Sequence, residues 1–268
     1  MLSALPYVQP PSCPIDLPLW GSHTITVFGP LAALGIVAGW RQVLRYARAR
    51  DLDVAAMDGL LLRVVVVGLV VSHWVSMLLY FPDRVLADPW VLLPIGGGLS
   101  SVGGFAGGLM AFACFVRRRN LPVLSAADAL AFGLLTGFTI GRVGCSLVHD
   151  HPGAVVDAGT WLAVGLWPDG THRYDLGLVE LVGLLGLCTL VYGVLPWRRW
   201  PPGRLTAVVA ILYGLGRGPL DLLRADDARY LHLTPAQYAC AGFVVLGTWT
   251  WIRSAREHAQ NAPKSAPD

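Results

Sequence analysis

Arg142, Glu180, Arg217 and Asp221 sit inside stretches that are otherwise apolar, and an ionisable side chain there must find a partner or a polar cavity. Arg142 lies in TGFTIGRVGCSLVHDHPG, residues 136–153, a glycine-studded run that ends in His149, Asp150 and His151. On a helix, Cys145, Ser146 and His149 fall in line with it. Arg217 and Asp221 lie in ILYGLGRGPLDLLR, where Tyr213, Arg217, Asp221 and Arg224 follow at helical spacing as one polar stripe, with Pro219 set to kink it. Glu180, flanked by Gly177 and Gly183, is a carboxylate in search of an arginine, and Arg142 or Arg217 is the partner to expect. Guanidinium groups fixed in a dry site stabilise charge on phosphate oxygens. Histidine or a carboxylate beside them supplies a proton acceptor. A plainer reading pairs Arg217 with Asp221 and lets Arg224 reach the membrane surface, with His149 to His151 forming an exposed turn closed by Pro152-Gly153.

The elements that position these residues belong to a membrane. Of 268 residues, 54% are hydrophobic and 14% charged, where soluble domains carry about a quarter charged. Mean hydropathy is +0.56. A net charge of +3, scattered along the chain, gives no nucleic-acid surface. The five cysteines, Cys13, Cys114, Cys145, Cys188 and Cys240, show no metal-ligand spacing and read as small buried hydrophobes, so no metal, disulfide or cofactor is expected.

Windows of about 19 residues give seven candidate spans, 24–44, 57–80, 93–116, 126–148, 175–195, 205–224 and 236–253. The expected fold is therefore all-α, a bundle of about seven transmembrane helices around a central lipid-binding cavity. Arg41, Arg45, Arg48 and Arg50, then Arg117 to Arg119, then Arg198, Arg199 and Arg204, then Arg253 and Arg256 all fall on one side. The positive-inside rule makes that side cytoplasmic and puts the N-terminus outside. Residues 1–23 read as an extracytoplasmic segment without a cleavable signal, 24–255 as the membrane domain and 256–268 as a disordered cytoplasmic tail. The connection 149–174 emerges on the outer face, and its Trp161, Trp167 and Pro168-Asp169-Gly170 suit a segment lying on the membrane surface. The third span holds GGGLSSVGGFAGG, residues 96–108, and the fourth holds Gly133, Gly137 and Gly141; both patterns permit close helix packing or a broken helix lining a cavity. Arg142, Arg217 and Glu180 are expected to converge on one cavity lined by the third span. His73 reads as a satisfied polar residue and Arg63 as an anchor at the membrane surface.

Four blocks, in order and spanning roughly residues 24–255, resemble the prolipoprotein diacylglyceryl transferase family. They are Phe28-Gly29, then Leu86-Ala87-Asp88-Pro89 with Gly97-Gly98-Leu99-Ser100 and Gly103-Gly104, then Gly141-Arg142-Val143-Gly144, then Tyr213-Gly214 with Arg217, Asp221 and Arg224. The departures are specific. Val102 stands where the family has histidine, Cys145 where it has asparagine, Phe28 where it has tyrosine, and Asp150 and Asp221 where it has glutamate. Of the family's HPSQxYE motif, Tyr174 to Glu180 keeps the final carboxylate.

The resemblance implies a bacterial inner-membrane enzyme of lipoprotein biosynthesis that moves diacylglycerol from phosphatidylglycerol to the lipobox cysteine of a prolipoprotein. It implies Arg142 and Arg217 as stabilisers of the departing phosphate, Arg224, Gly103, Gly104 and Asp221 as substrate-binding positions, and Glu180 and Asp221 as holders of the arginines. His149, Asp150 and His151 are the candidates to take the thiol proton. A non-catalytic relative that binds phospholipid or lipoprotein fits the same arginines, and a transporter is disfavoured by the absence of internal repeats.

Overall fold

The computed structural model describes residues 5–9, 12–17, 21–93, 98–224 and 229–260. Each predicted span corresponds to a helix: α1 Phe28–Ala49, α2 Val54–Tyr80, α4 Ser101–Arg119, α5 Val123–Val148, α6 Leu176–Thr189, α7 Arg204–Leu220 and α8 Pro235–Gln260. A short α3, Pro82–Ala87, follows α2. Among the described residues, four helical stretches are long and apolar enough to cross a membrane, Val54–Tyr80, Val123–Val148, Leu176–Val194 and Arg204–Leu223. This is a multi-span membrane protein. The other long helices fall below that hydropathy because α1 carries Arg41, Arg45 and Arg48, α4 is rich in glycine and ends in three arginines, and α8 carries Arg253, Arg256 and Glu257. The last helix also continues to Gln260, past the point where the sequence suggested a tail; residues 261–268 lie outside the described set.

Two compact units divide the chain, Val43–Leu130 and the segments on either side of it. Within Val43–Leu130, α2 and α4 pack backbone to backbone. A methyl group on Gly103 would come within 2.8 Å of the Val71 carbonyl oxygen and Val75 Cβ, and one on Gly107 within 2.7 Å of Val71 Cβ. The nearest neighbour of a methyl on Gly104 is Ser72 Cβ at 3.8 Å, an ordinary contact. Ser100 caps α4 through Gly103 N, Asn120 ends it in the left-handed conformation, and Arg117, Arg118 and Arg119 sit at the helix's negative end. His73 is buried with Nε2 3.0 Å from the Val91 carbonyl, as its reading as a satisfied polar residue expected. Arg63 donates to the Gly59 carbonyl and lies over the Phe115 ring. Gly96 and Gly97, the start of the glycine run, lie outside the described residues.

In the flanking unit, α1 and α5 meet in the same manner. A methyl on Gly35 would fall 2.6 Å from the Gly137 carbonyl oxygen, and one on Gly39 2.8 Å from that of Gly133. The four-residue glycine spacing in α5 is thus a helix-packing face. Beyond α6 the chain makes one π turn, Leu190–Val194, where the Tyr192 hydroxyl donates to the Phe132 carbonyl. Pro219 lies one residue from the end of α7, which stops at Leu220 and passes into a 3-10 turn, Asp221–Leu223.

The chain is mostly helical, as expected, and two small sheets add to the helices. Strands β2 Ser12–Leu17 and β3 Gly21–Thr26 pair antiparallel, and a four-stranded sheet runs in the order β1-β5-β6-β4, with β1 Leu5–Pro6, β4 Pro152–Val155, β5 Ala163–Gly165 and β6 Arg173–Asp175. Strands of two to four residues are too short to show an alternating pattern, and β1 finds its partner about 160 residues away, which is why the sequence hid them. The connection 149–174 is therefore a sheet-forming segment.

Packing at Gly103 and Gly104 makes opposite predictions for two adjacent substitutions. Gly103→Ala forces α2 and α4 apart and should lower the melting temperature in detergent, whereas Gly104→Ala should leave it unchanged within error; equal losses at both positions would contradict the packing. A second prediction concerns the turn before β6, where Asp169 accepts hydrogen bonds from the Thr171 hydroxyl and amide and from Arg173 Nη2. These hold its pKa down to about 2, below the ordinary 3.8, so the turn's stabilisation is complete above pH ~4 and fades as pH falls toward 2. Amide exchange of Thr171 should accelerate over that window in the wild type, and show no such step in Asp169→Asn.

Candidate functional site

The site is built on a carboxylate. Glu180, at the start of the second turn of α6 and 4% exposed, receives Arg142 Nη2 at 2.8 Å and Arg217 Nε at 2.9 Å on Oε2, while Tyr213 donates to Oε1 at 2.8 Å. Three helices, α5, α6 and α7, are tied together at that point. Arg217 reaches on to Asp221, one helical turn along, and Asp221 also takes the Thr234 hydroxyl and lies 4.0 Å from Arg224 Nη1. Breaking a buried charge network of this kind by removing one partner costs about 3–5 kcal/mol. Both partners named by the sequence for Glu180 are present together, and Arg217 bridges Glu180 and Asp221, so the plainer pairing of Arg217 with Asp221 alone does not describe the site.

Position in the fold explains each contact. Asp175 is the N-cap of α6, its Oδ1 accepting from Leu178 N, which fixes where that helix begins and so where Glu180 points. The helical period puts Tyr213 and Arg217 on one face of α7. Arg142 lies in the last two turns of α5, its guanidinium 5.4 Å from the centre of the Phe138 ring, which in turn meets Tyr213 edge-on. Its Nε is buried and has no hydrogen-bond acceptor among the described residues.

Between α6 and α7 runs a cavity of about 260 Å³. Its polar end is Glu180, Tyr213 and Arg217, and the remainder is Leu184, Leu187, Leu190, Leu212 and Leu220 with three glycines. Arg142 joins it through Glu180. The lining described here comes from α6 and α7; Gly103 and Gly104, named from the sequence as substrate-binding positions, belong to the other unit, where Gly103 is a packing residue.

The three residues after α5 part company. His149 takes the left-handed conformation at φ 52° and its ring is committed on both sides, with Nδ1 2.6 Å from Asp175 Oδ2 and Nε2 3.2 Å from the Val8 carbonyl. Tyr7 stacks on it at 4.4 Å and Trp167 closes the other edge. It clamps the N-terminal strand to the sheet. Asp150 and His151 instead turn back toward the arginines, and Cys145, Asp150 and His151 bring one sulfur, one oxygen and one nitrogen within 4.8 Å of one another. His151 Nε2 is 3.7 Å from Asp150 Oδ1 and its Nδ1 is 3.5 Å from Arg224 Nη2. Burial, followed by Arg142, Arg224 and Arg217, pushes the His151 pKa down to about 4, and burial pushes that of Asp150 up. Arg224 is also fixed through its backbone, which bridges to Gly153.

Sequence reasoning did not single out Asp175, which is fully buried between His149 and the α6 terminus, or Thr234 on Asp221. Nor did it group Cys145 with Asp150 and His151. A thiol, a carboxylate and an imidazole within seven residues straddling a helix end were the available signal.

Comparison with known proteins agrees with this architecture. The family described as prolipoprotein diacylglyceryl transferase matches residues 14–253. Phosphatidylglycerol–prolipoprotein diacylglyceryl transferases of Rhizobium leguminosarum bv. trifolii, Chromohalobacter salexigens and Gloeobacter violaceus are similar to this chain. The first is 28% identical over 89% of this chain and 91% of its own length; the second, 27% over 92% and 94%; the third, 27% over 89% and 93%. With residues 14–253 matched by the family and the similar transferases 27–28% identical, the protein belongs to the prolipoprotein diacylglyceryl transferase family as a divergent member.

Proposed function

We propose that this chain transfers diacylglycerol from phosphatidylglycerol to the lipobox cysteine of a prolipoprotein, at the outer face of the bacterial inner membrane. The observation that carries the reading is Arg142 and Arg217, from separate helices, meeting on Glu180 at the polar end of an apolar cavity. An acyl chain suits the leucine and glycine wall, and a phosphodiester suits the guanidiniums, including the buried Nε of Arg142. Phosphatidylglycerol's name in the relatives supplies the head group.

In this reaction the lipobox sulfur, as thiolate, bonds to the glyceryl carbon while the carbon–oxygen bond to phosphate breaks and glycerol phosphate leaves. Charge gathers on the phosphate oxygens, where Arg142 and Arg217 stabilise it because the site is dry and the groups are already oriented. Glu180 and Asp221 hold the two guanidiniums, and Arg224 steers the head group from the exposed side. Of the candidates to ionise the thiol, His149 is occupied by Asp175 and Val8, which leaves the Asp150–His151 end. Gly103 and Gly104 enter this reading through the resemblance of their sequence block alone.

Seven helices cross the membrane in this account, with the N-terminus outside and the C-terminus cytoplasmic, on the strength of the arginine-bearing connections. A reporter fused after Arg253 should signal the cytoplasm, and periplasmic signal from that fusion contradicts the topology.

Transfer to a lipobox peptide in phosphatidylglycerol proteoliposomes tests the activity. Arg142→Ala and Arg217→Ala should each slow it by about 30- to 1,000-fold, the equivalent of ~2–4 kcal/mol of lost transition-state stabilisation. Lysine at either position should restore only part of the rate, lacking the planar fork. Wild-type rates in the alanine variants would show the arginines to be structural. A wild type that binds phosphatidylglycerol without transferring it, and gains transfer on Val102→His, would identify a lipid-binding relative instead.

A further inference from the structure

Cys145, Asp150 and His151 form one donor set, of which the proposed lipid chemistry uses only the last two, as candidates to ionise the thiol. Their three ligating atoms lie within 4.8 Å of one another. Cys145 sits at the end of α5 with its thiol against the Arg142 guanidinium and is buried, His151 is half-buried, and Asp150 is exposed, so the cluster has a closed floor and an open mouth. We propose that these three side chains bind a divalent cation of zinc type, and that its fourth position receives the acceptor thiol; the second half rests on the transferase reading above.

Ligand chemistry, geometry and charge each support it. One thiolate, one imidazole and one carboxylate are a mixed set of the kind zinc accepts, and three protein ligands with one open position are the arrangement of a catalytic rather than a structural site. Tetrahedral binding at metal–ligand distances of about 2.0–2.3 Å separates donors by roughly 3.3–3.7 Å. Closing from 4.8 Å asks for donor shifts of about 1–1.5 Å. His151 Nε2, the nitrogen on the Asp150 side, is the ligand atom, and Nδ1 then carries a hydrogen and no longer accepts from Arg224. Cation binding thus turns Arg224 toward the head group.

The electrostatic objection is the arginines. Arg142, Arg217 and Arg224 all act on His151, and a cation beside three guanidiniums is disfavoured unless anions offset them. Glu180 and Asp221 pair with all three, and the carboxylate of Asp150, within the field of Arg142 and Arg224, brings the count of negative charges to three. Ionisation of Cys145 then leaves the cluster one charge negative, and a divalent ion reverses that sign. The arriving phosphodiester and the acceptor thiolate add two more negative charges, so the metal and both substrates favour one another.

Such an ion supplies a route to the lipobox thiolate other than proton transfer to Asp150 or His151. A thiol that coordinates zinc is deprotonated outright, its proton passing to solvent. The bound sulfur attacks the glyceryl carbon, the carbon–oxygen bond breaks with its electron pair moving to the phosphate oxygen, and glycerol phosphate leaves. The resulting thioether is a weaker ligand than the thiolate and dissociates.

Metal content of the purified full-length protein in detergent, followed by cobalt substitution, tests the site without relying on turnover. One zinc per chain is expected in the wild type, with at least a tenfold loss in Cys145→Ser, Asp150→Asn and His151→Ala; a monodisperse elution profile checks that each is folded. The cobalt form should show a thiolate charge-transfer band that vanishes in Cys145→Ser and intensifies on adding a lipobox peptide but not its serine analogue. Trace metal unaffected by the three variants overturns the site. Transfer that persists in metal-free protein, and is lost in His151→Ala, also overturns it and leaves the transferase reading intact with His151 as base. Stoichiometric zinc lost in all three variants, with no transfer by the wild type, upholds the site and removes the transferase reading.

Discussion

A carboxylate with almost no access to water cannot remain charged alone, and in this protein Glu180 determines much of what surrounds it. It draws one guanidinium from α5 and another from α7, and takes the Tyr213 hydroxyl on its remaining oxygen. The two arginines would repel each other at that separation without it. Arg217 lines a cavity whose other walls are leucine and glycine, and Arg142 is tied to that cavity through Glu180. A stable core of this size would ordinarily be made with apolar side chains, which cost less to bury; ion pairs retained inside a membrane bundle point to a role beyond stability.

The same economy organises the exposed end. Asp175 caps α6 and, with its second oxygen, holds His149, which stacks on Tyr7 and binds the Val8 carbonyl. Thus the residue that sets the start of the helix carrying Glu180 also anchors the N-terminal strand. Asp221 does equivalent work on α7, joining Arg217 to Thr234 at the start of α8. Between these two anchors stand Cys145, Asp150 and His151, facing Arg224.

Much of this was legible beforehand, because intramembrane charges and runs of apolar residues are strong signals. An apolar-segment carboxylate calls for an arginine, which points Glu180 to Arg142 or Arg217, and it holds both; the seven apolar stretches each carry a helix. The strands of the four-stranded sheet were not legible, being two to four residues long, with β1 paired to a strand about 160 residues away. His149 was placed with Arg142 by helical spacing, but the helix ends at Val148 and its left-handed backbone turns the ring away. Cys145 read as a small hydrophobe, since its composition signal is the same whether it packs or ligates; only the folded turn brings Asp150 and His151 back over it. Glycine runs were equally ambiguous, and at Gly103 and Gly107 they serve close helix packing.

Central to the account is that the Glu180-linked arginines hold a phosphodiester at the head of the α6–α7 cavity. Native mass spectrometry of the protein released from nanodiscs measures this directly, by comparing retained phosphatidylglycerol with retained diacylglycerol, which has the same chains and no phosphate. The account predicts strong preference for phosphatidylglycerol in the wild type and loss of that preference in Arg217→Ala, with diacylglycerol retention unchanged. Equal retention of the two lipids by the wild type, or a preference that survives removal of Arg217, would contradict it.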